Sequence, residues 1–138
     1  MRITKKRVGM ALFAVALVTV MLAPAVVSAF GMTWENYTPW KGGFAHWYVY
    51  CKARTYTDST PDSIYACATL QELSGGEWVD CNYKEAYSEG HGVDDISAQT
   101  NGFRHGAGTF RNHSFHRAVS GSITLEADIY GSQITFSS

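Results

Sequence analysis

Five histidines, His46, His91, His105, His113 and His116, are the residues best suited to acid–base or metal chemistry. In His113-Ser114-Phe115-His116 the two imidazoles are three positions apart. On a strand that spacing sends them to opposite faces, so they do not converge on one ion without a bend. His91 lies near Asp94 and Asp95, which adds oxygen donors but not a recognised ligand spacing. Solvated polar side chains are the simpler reading. Ser, His and Asp all occur, yet there is no G-x-S-x-G elbow and no Cys beside a matched His. Glu72, Glu77 and Glu85 could supply a glycosidase pair, but they fall on strand faces or hairpin ends where solvated acids are normal. No catalytic residue, metal ligand set or cofactor is assigned.

Cys51, Cys67 and Cys81 could do redox chemistry or cross-link the fold. Side-chain alternation ranks the pairings. Cys51 is in phase with Trp47, Val49 and Ala53 and points inward. Cys67 is out of phase with Ile64, Ala66 and Ala68 and points outward. If Gly75-Gly76 forms a two-residue loop, Leu70 lies opposite Cys81, which then points inward. The expectation is a Cys51–Cys81 disulfide with Cys67 as a free thiol, provided the two strands sit in opposite sheets. Three unpaired thiols are the alternative.

Aromatic residues are the third feature. Trp34, Tyr37, Trp40, Phe44, Trp47, Tyr48, Tyr50 and Tyr56 crowd into one stretch. Tyr48, Tyr50 and Tyr56 share the wet side of their strand with Lys52 and Arg54, a candidate face for stacking on sugars or anchoring a protein. Cross-strand pairing under neighbouring aromatics is the structural alternative. Asn36-Tyr37-Thr38 and Asn112-His113-Ser114 match the glycosylation sequon.

The elements that must position these groups are strands. The segment 46–56 alternates apolar and polar with period two, and 63–73, 77–87, 93–100, 108–119, 122–130 and 134–136 read similarly. Asp58-Ser59-Thr60-Pro61-Asp62, Gly75-Gly76, Ser88 to Gly92, Asn101-Gly102 and Ser120-Gly121 punctuate them. Six or seven short strands without helical periodicity predict an all-β, antiparallel β-sandwich of immunoglobulin-like type. Residues 30–45, holding Trp34, Tyr37, Trp40 and Pro39 without clear period, read as an irregular aromatic lead-in to a domain over 46–138.

Residues 1–29 read as a secretory signal peptide: Arg2, Lys5, Lys6 and Arg7, an uncharged stretch from Val8, Pro24, then Val27-Ser28-Ala29 with cleavage expected after Ala29. An uncleaved anchor is the alternative. The chain has 11 basic and 12 acidic residues. Removing the four basic residues of the leader gives a mildly acidic secreted domain, with no electrostatic pull toward nucleic acid or anionic lipid. Local charge is uneven, with Arg104, Arg111 and Arg117 in the C-terminal half and Asp80, Glu85, Glu89, Asp94 and Asp95 in the middle.

The run Ala53-Arg54-Thr55, Thr60-Pro61-Asp62-Ser63-Ile64-Tyr65-Ala66, Leu70, Gly76-Glu77-Trp78-Val79-Asp80 and the later Gly108-Thr109-Phe110 resembles small secreted, largely uncharacterised β-sandwich proteins of bacteria. The resemblance spans about residues 46 to 119. It implies secretion and a sandwich fold and assigns no functional residue. The function expected from the sequence is a non-enzymatic extracellular binding or envelope-associated module whose partner is an extracellular protein or carbohydrate. A bacteriocin-like antibacterial protein and a cryptic hydrolase are the alternatives.

Overall fold

The computed structural model describes residues 30–43, 46–104 and 107–137; the leader expected over 1–29 lies outside them. Among the described residues the strands are β1 (Met32–Gly42), β2 (Tyr48–Thr57), β3 (Ser63–Ser74), β4 (Glu77–Glu89), β5 (Asp95–Gln99), β6 (Phe103–Arg104), β7 (Gly108–Ser120), β8 (Ile123–Tyr130) and β9 (Ile134–Phe136). They form two antiparallel sheets. The first has the order β1-β2-β5, with β6 also on β2; the second has the order β4-β3-β7-β8, with β9 also on β7. The sheets face each other mainly through β1 and β2 on one side and β3 and β7 on the other. The described part of the chain is all-β and sandwich-like, as its two-residue alternation predicts.

The segment expected to be an irregular lead-in is instead a strand. β1 buries Met32, Trp34 and Asn36 and pairs with β2 along its length. Its period is broken by a register shift between Tyr37 and Trp40, where Thr38 and Pro39 bulge out of the ladder. Proline has no N–H to give to a ladder, so an edge-strand bulge is where a sheet accepts it. Trp47, expected inward beside Val49, lies ahead of β2 and is exposed. His46 turns the chain there with φ of 55°.

Two hairpins follow their sequence signals. Ser74 pairs with Glu77 around Gly75-Gly76, whose φ values of 62° and 85° are those of a primed turn. Ser120 pairs with Ile123 around Gly121-Ser122. Asp62 fixes the latter end of the molecule: its carboxylate accepts from Gly121 N at 2.7 Å, and its own N–H donates to Val119 O at 2.7 Å.

The core between the sheets is apolar at both ends and polar in the middle. One cluster joins Phe30, Met32, Trp34, Ala118, Leu125 and Ala127; the other joins Val49, Cys51, Ala53, Ala68, Leu70 and Phe110. Along β7 the inward residues run Phe110, Asn112, Ser114, His116, Ala118, so the polar band lies where neither cluster reaches. Two asparagines tie the sheets across this band. Asn112 Nδ2 donates to Tyr37 O at 3.0 Å and Lys52 O at 2.8 Å in the first sheet. Asn36 Nδ2 donates back to Asn112 O at 3.2 Å and Ile129 O at 3.4 Å in the second. These are the asparagines of the two sequons, and with 7% and 0% exposure both are closed to modification in the folded state.

The expected Cys51–Cys81 disulfide is not formed; all three cysteines are free. The condition on the sheets holds, since β2 and β4 belong to different ones. The register does not. Leu70 pairs with Asn82 and Gln71 with Asp80, leaving Cys81 as the extra residue of a bulge. Its sulfur packs against the edge of the core cluster that holds Cys51, near Val79 O at 3.7 Å and the Glu72 carboxylate, and makes no bond to Cys51. Cys67 faces outward as alternation requires, between Glu85 and Phe115.

Candidate functional site

Each sheet has an outer face, and both are aromatic. On the first sheet the ladder β1–β2 places Trp40 beside Tyr50, Tyr37 beside Lys52, Glu35 beside Arg54 and Thr33 beside Tyr56. Tyr48, Tyr50 and Tyr56 therefore share one face, but Lys52 and Arg54 separate the last two. The groups satisfy one another. Trp40 stacks on Tyr50 with centroids 5.8 Å apart, and the Lys52 ammonium sits 5.2 Å from the centre of the Tyr37 ring. Arg54 lies over Tyr56 at 4.3 Å while it donates through Nε and Nη2 to both oxygens of Asp95. The Asp95 hydrogen bonds raise the Arg54 pKa further, and Arg54 in turn holds the Asp95 carboxyl below its usual range. This is the cross-strand pairing of a closed surface.

The outer face of the second sheet is more open. Its ladder sets out Tyr87, Tyr65 and Arg117 in one row, then Glu85, Cys67 and Phe115, then Tyr83, Thr69 and His113, then Asp80, Gln71 and Arg111. β8 extends these rows with Glu126, Asp128 and Tyr130. Tyr83, Tyr87 and Tyr130 are 63%, 58% and 53% exposed, well above what cross-strand pairing leaves visible on the first sheet. Tyr65 packs edge-on to Phe115 at 5.9 Å and to Tyr87 at 6.4 Å, and its hydroxyl donates to Glu85 at 2.7 Å. Burial, then that hydrogen bond, raises the Tyr65 pKa. At the other end of the face, His113 stacks on Tyr130 at 4.0 Å and bonds Asp128 at 2.7 Å. The Arg111 guanidinium carbon lies 4.3 Å from the Trp78 ring centre and 4.4 Å from that of Tyr130. Partial burial lowers the Arg111 pKa.

Sequence reasoning placed its candidate face on β2 and missed this one. Its members come from four strands, so no single stretch of sequence is dense in them. The available signal was that Trp78, Tyr83, Tyr87 and Tyr130 all fall on predicted strands.

Inside the sandwich, Ser114 Oγ stands 2.9 Å from His116 Nε2, and Thr55 Oγ1 stands 2.8 Å from His116 Nδ1. The contacts imitate a hydrolytic Ser–His pair, but all three residues are fully buried and a threonine stands where a carboxylate would orient the base. Burial depresses the His116 pKa to about 3, so it is neutral and serves as a satisfied core polar group. His113 and His116 face opposite sides of β7, His46 and His91 are exposed, and His105 lies outside the described residues. Glu72 lies on the inner side of β3, and Glu77 and Glu85 are exposed on β4 without a second carboxylate bonded to them. No group of three His, Cys, Asp or Glu side chains among the described residues could hold a metal ion. The thiols are poor nucleophiles: burial raises all three, Cys81 to about 11. No helix among the described residues is long and apolar enough to cross a membrane. No protein family, curated protein or solved structure matches the chain.

Proposed function

We propose that this protein is an exported, non-enzymatic binding module whose ligand is a saccharide lying across the outer face of the second sheet. The observation that carries the reading is the set of exposed rings Tyr83, Tyr87 and Tyr130 on that face. The apolar faces of Tyr83 and Tyr87 suit the C–H side of pyranose rings, and the polar groups in every row suit the hydroxyls between them. A protein partner is less well served. Three of the four rows carry an acid, an amide or a cation and the other an imidazole, so the face lacks the charge-depleted apolar centre that stable protein interfaces use. Export is read from the leader, and the acidic domain left after its removal fits a ligand other than nucleic acid. The order β1-β2-β5 against β4-β3-β7-β8 supports an immunoglobulin-like sandwich in which the fourth strand has joined the second sheet. The fold itself does not dictate the ligand.

The test is a fluorescence titration of the purified domain with a panel of soluble polysaccharides, using Trp78 on the same face as reporter. Saturable change with at least one polysaccharide is expected, and the double substitution Tyr83→Ala, Tyr87→Ala should weaken it by roughly tenfold or more, since each stacked ring contributes on the order of 1 kcal/mol. An unaltered spectrum across the panel sinks the reading. So does binding that survives both substitutions.

A further inference from the structure

Among the described residues with placed side chains, Arg111 differs from the other two arginines. Arg54 is held by Asp95 and Glu35, and Arg117 by Glu126. Arg111 has no carboxylate within ion-pair distance among the described residues. Its Nε donates to Gln71 Oε1 at 2.7 Å, and Gln71 turns its Nε2 to Asp80 Oδ1 at 2.8 Å. Gln71 is buried, so this amide relay is fixed, and it separates Arg111 from the acid. The Trp78 and Tyr130 rings reach the guanidinium from β4 and β8 respectively, the strands on either side of β3 and β7. With the rings against the guanidinium and Nε engaged, the two Nη groups remain. They carry the paired N–H donors that match a carboxylate in a bidentate fork. A half-buried cation without a counter-charge is costly to keep, so an incoming anion has an unusually strong claim on it.

Resting on the saccharide reading above, we propose that the Nη edge of Arg111 binds the carboxylate of a uronic acid unit, with a neighbouring sugar stacked on Tyr83. The other charges of the face narrow the class. Asp80 is bonded to Gln71, Asp128 to His113 and Glu85 to Tyr65, and all three carboxylates stand on the same face as Arg111. A chain with a carboxylate on every sugar meets those acids, whereas one that alternates uronate with neutral sugar puts its charge at Arg111 alone. The ligand class is therefore a saccharide with spaced carboxylates.

The experiment uses calorimetric titration with an oligosaccharide of alternating glucuronate and N-acetylhexosamine units, and with the same oligosaccharide after methyl esterification of its carboxyls. The acid form should bind about tenfold or more tightly than the ester. Arg111→Gln should bring the acid form down to the affinity of the ester and leave the ester unchanged. Because Arg111 also packs on Trp78, Arg111→Lys is the second variant: it keeps the charge, loses the fork and should retain only part of the preference. Equal affinity of acid and ester for the native protein overturns the carboxylate assignment and leaves the saccharide reading standing. A preference that persists undiminished in both variants also overturns the assignment. Binding of neither form overturns the assignment as well, and the polysaccharide panel alone then decides the reading beneath it.

Discussion

His116 is enclosed between Thr55 and Ser114, and its ring lies 6.0 Å from that of Trp34. The unfolded chain binds a proton at this imidazole near pH 6.5, while the folded protein resists until about pH 3. A group whose folded pKa is depressed makes the unfolded state the better proton acceptor, so stability falls as pH drops through that window. The limiting slope is about 1.4 kcal/mol per pH unit, or about 2 kcal/mol between pH 6.5 and 5. Asp95, the described carboxyl whose pKa is lowered, acts only below its ordinary pKa and leaves this range to the histidine. Urea unfolding at pH 7, 6 and 5 should show that decline in the native protein, and His116→Gln should flatten it. A native curve that is already flat over this range would show that the imidazole is not sealed from solvent. The same enclosure explains why the residue offers no catalysis: a neutral base without access to substrate can only satisfy hydrogen bonds.

At the scale of the strand, β4 presents a long open edge of the second sheet, the kind of edge that recruits another chain. Two devices blunt it. The bulge at Cys81 interrupts its ladder, and Lys84, opposite Ala68, sets an exposed charge on the inner side where an added strand would seek apolar cover. Lys84→Val should make the protein self-associate with rising concentration in sedimentation velocity, while the native chain at matched concentration keeps the lower sedimentation coefficient. Identical behaviour of the two would remove Lys84 from this role. That bulge also marks the limit of what periodicity could reveal. β2, β3, β4, β5, β7, β8 and β9 were legible because apolar and polar residues alternate and turn residues bound them. β1 was not, because Pro39 and a bulge break its period. The pairing of Cys81 with Leu70 failed for the same reason, since one extra residue shifts the register and reverses every inside–outside assignment beyond it. The open aromatic face was hidden by assembly from four strands, whereas the first-sheet face was visible because Tyr48, Tyr50 and Tyr56 follow one another along β2.

For the molecule as a whole, stability comes from packing two sheets with a polar band between them. Three free thiols imply that no covalent staple contributes. A bridge would be worth about 2–4 kcal/mol, and its reduction would lower Tm of a domain this size by roughly 10 °C or more. Thermal unfolding with and without a reductant should instead give the same Tm within about 2 °C. A fall of the larger size would establish a disulfide between two of the cysteines. Cys51, lying in the buried cluster with Val49 and Leu70, then behaves as a small apolar side chain.

The paired asparagines carry a separate consequence for production of the protein. Asn36 and Asn112 each spend the side-chain nitrogen to which an oligosaccharide would attach on carbonyls of the opposing sheet. A host that decorates either sequon before the chain closes would thus divide its output into two populations. Bare molecules would assemble, and sugar-bearing ones would be unable to bring their layers together.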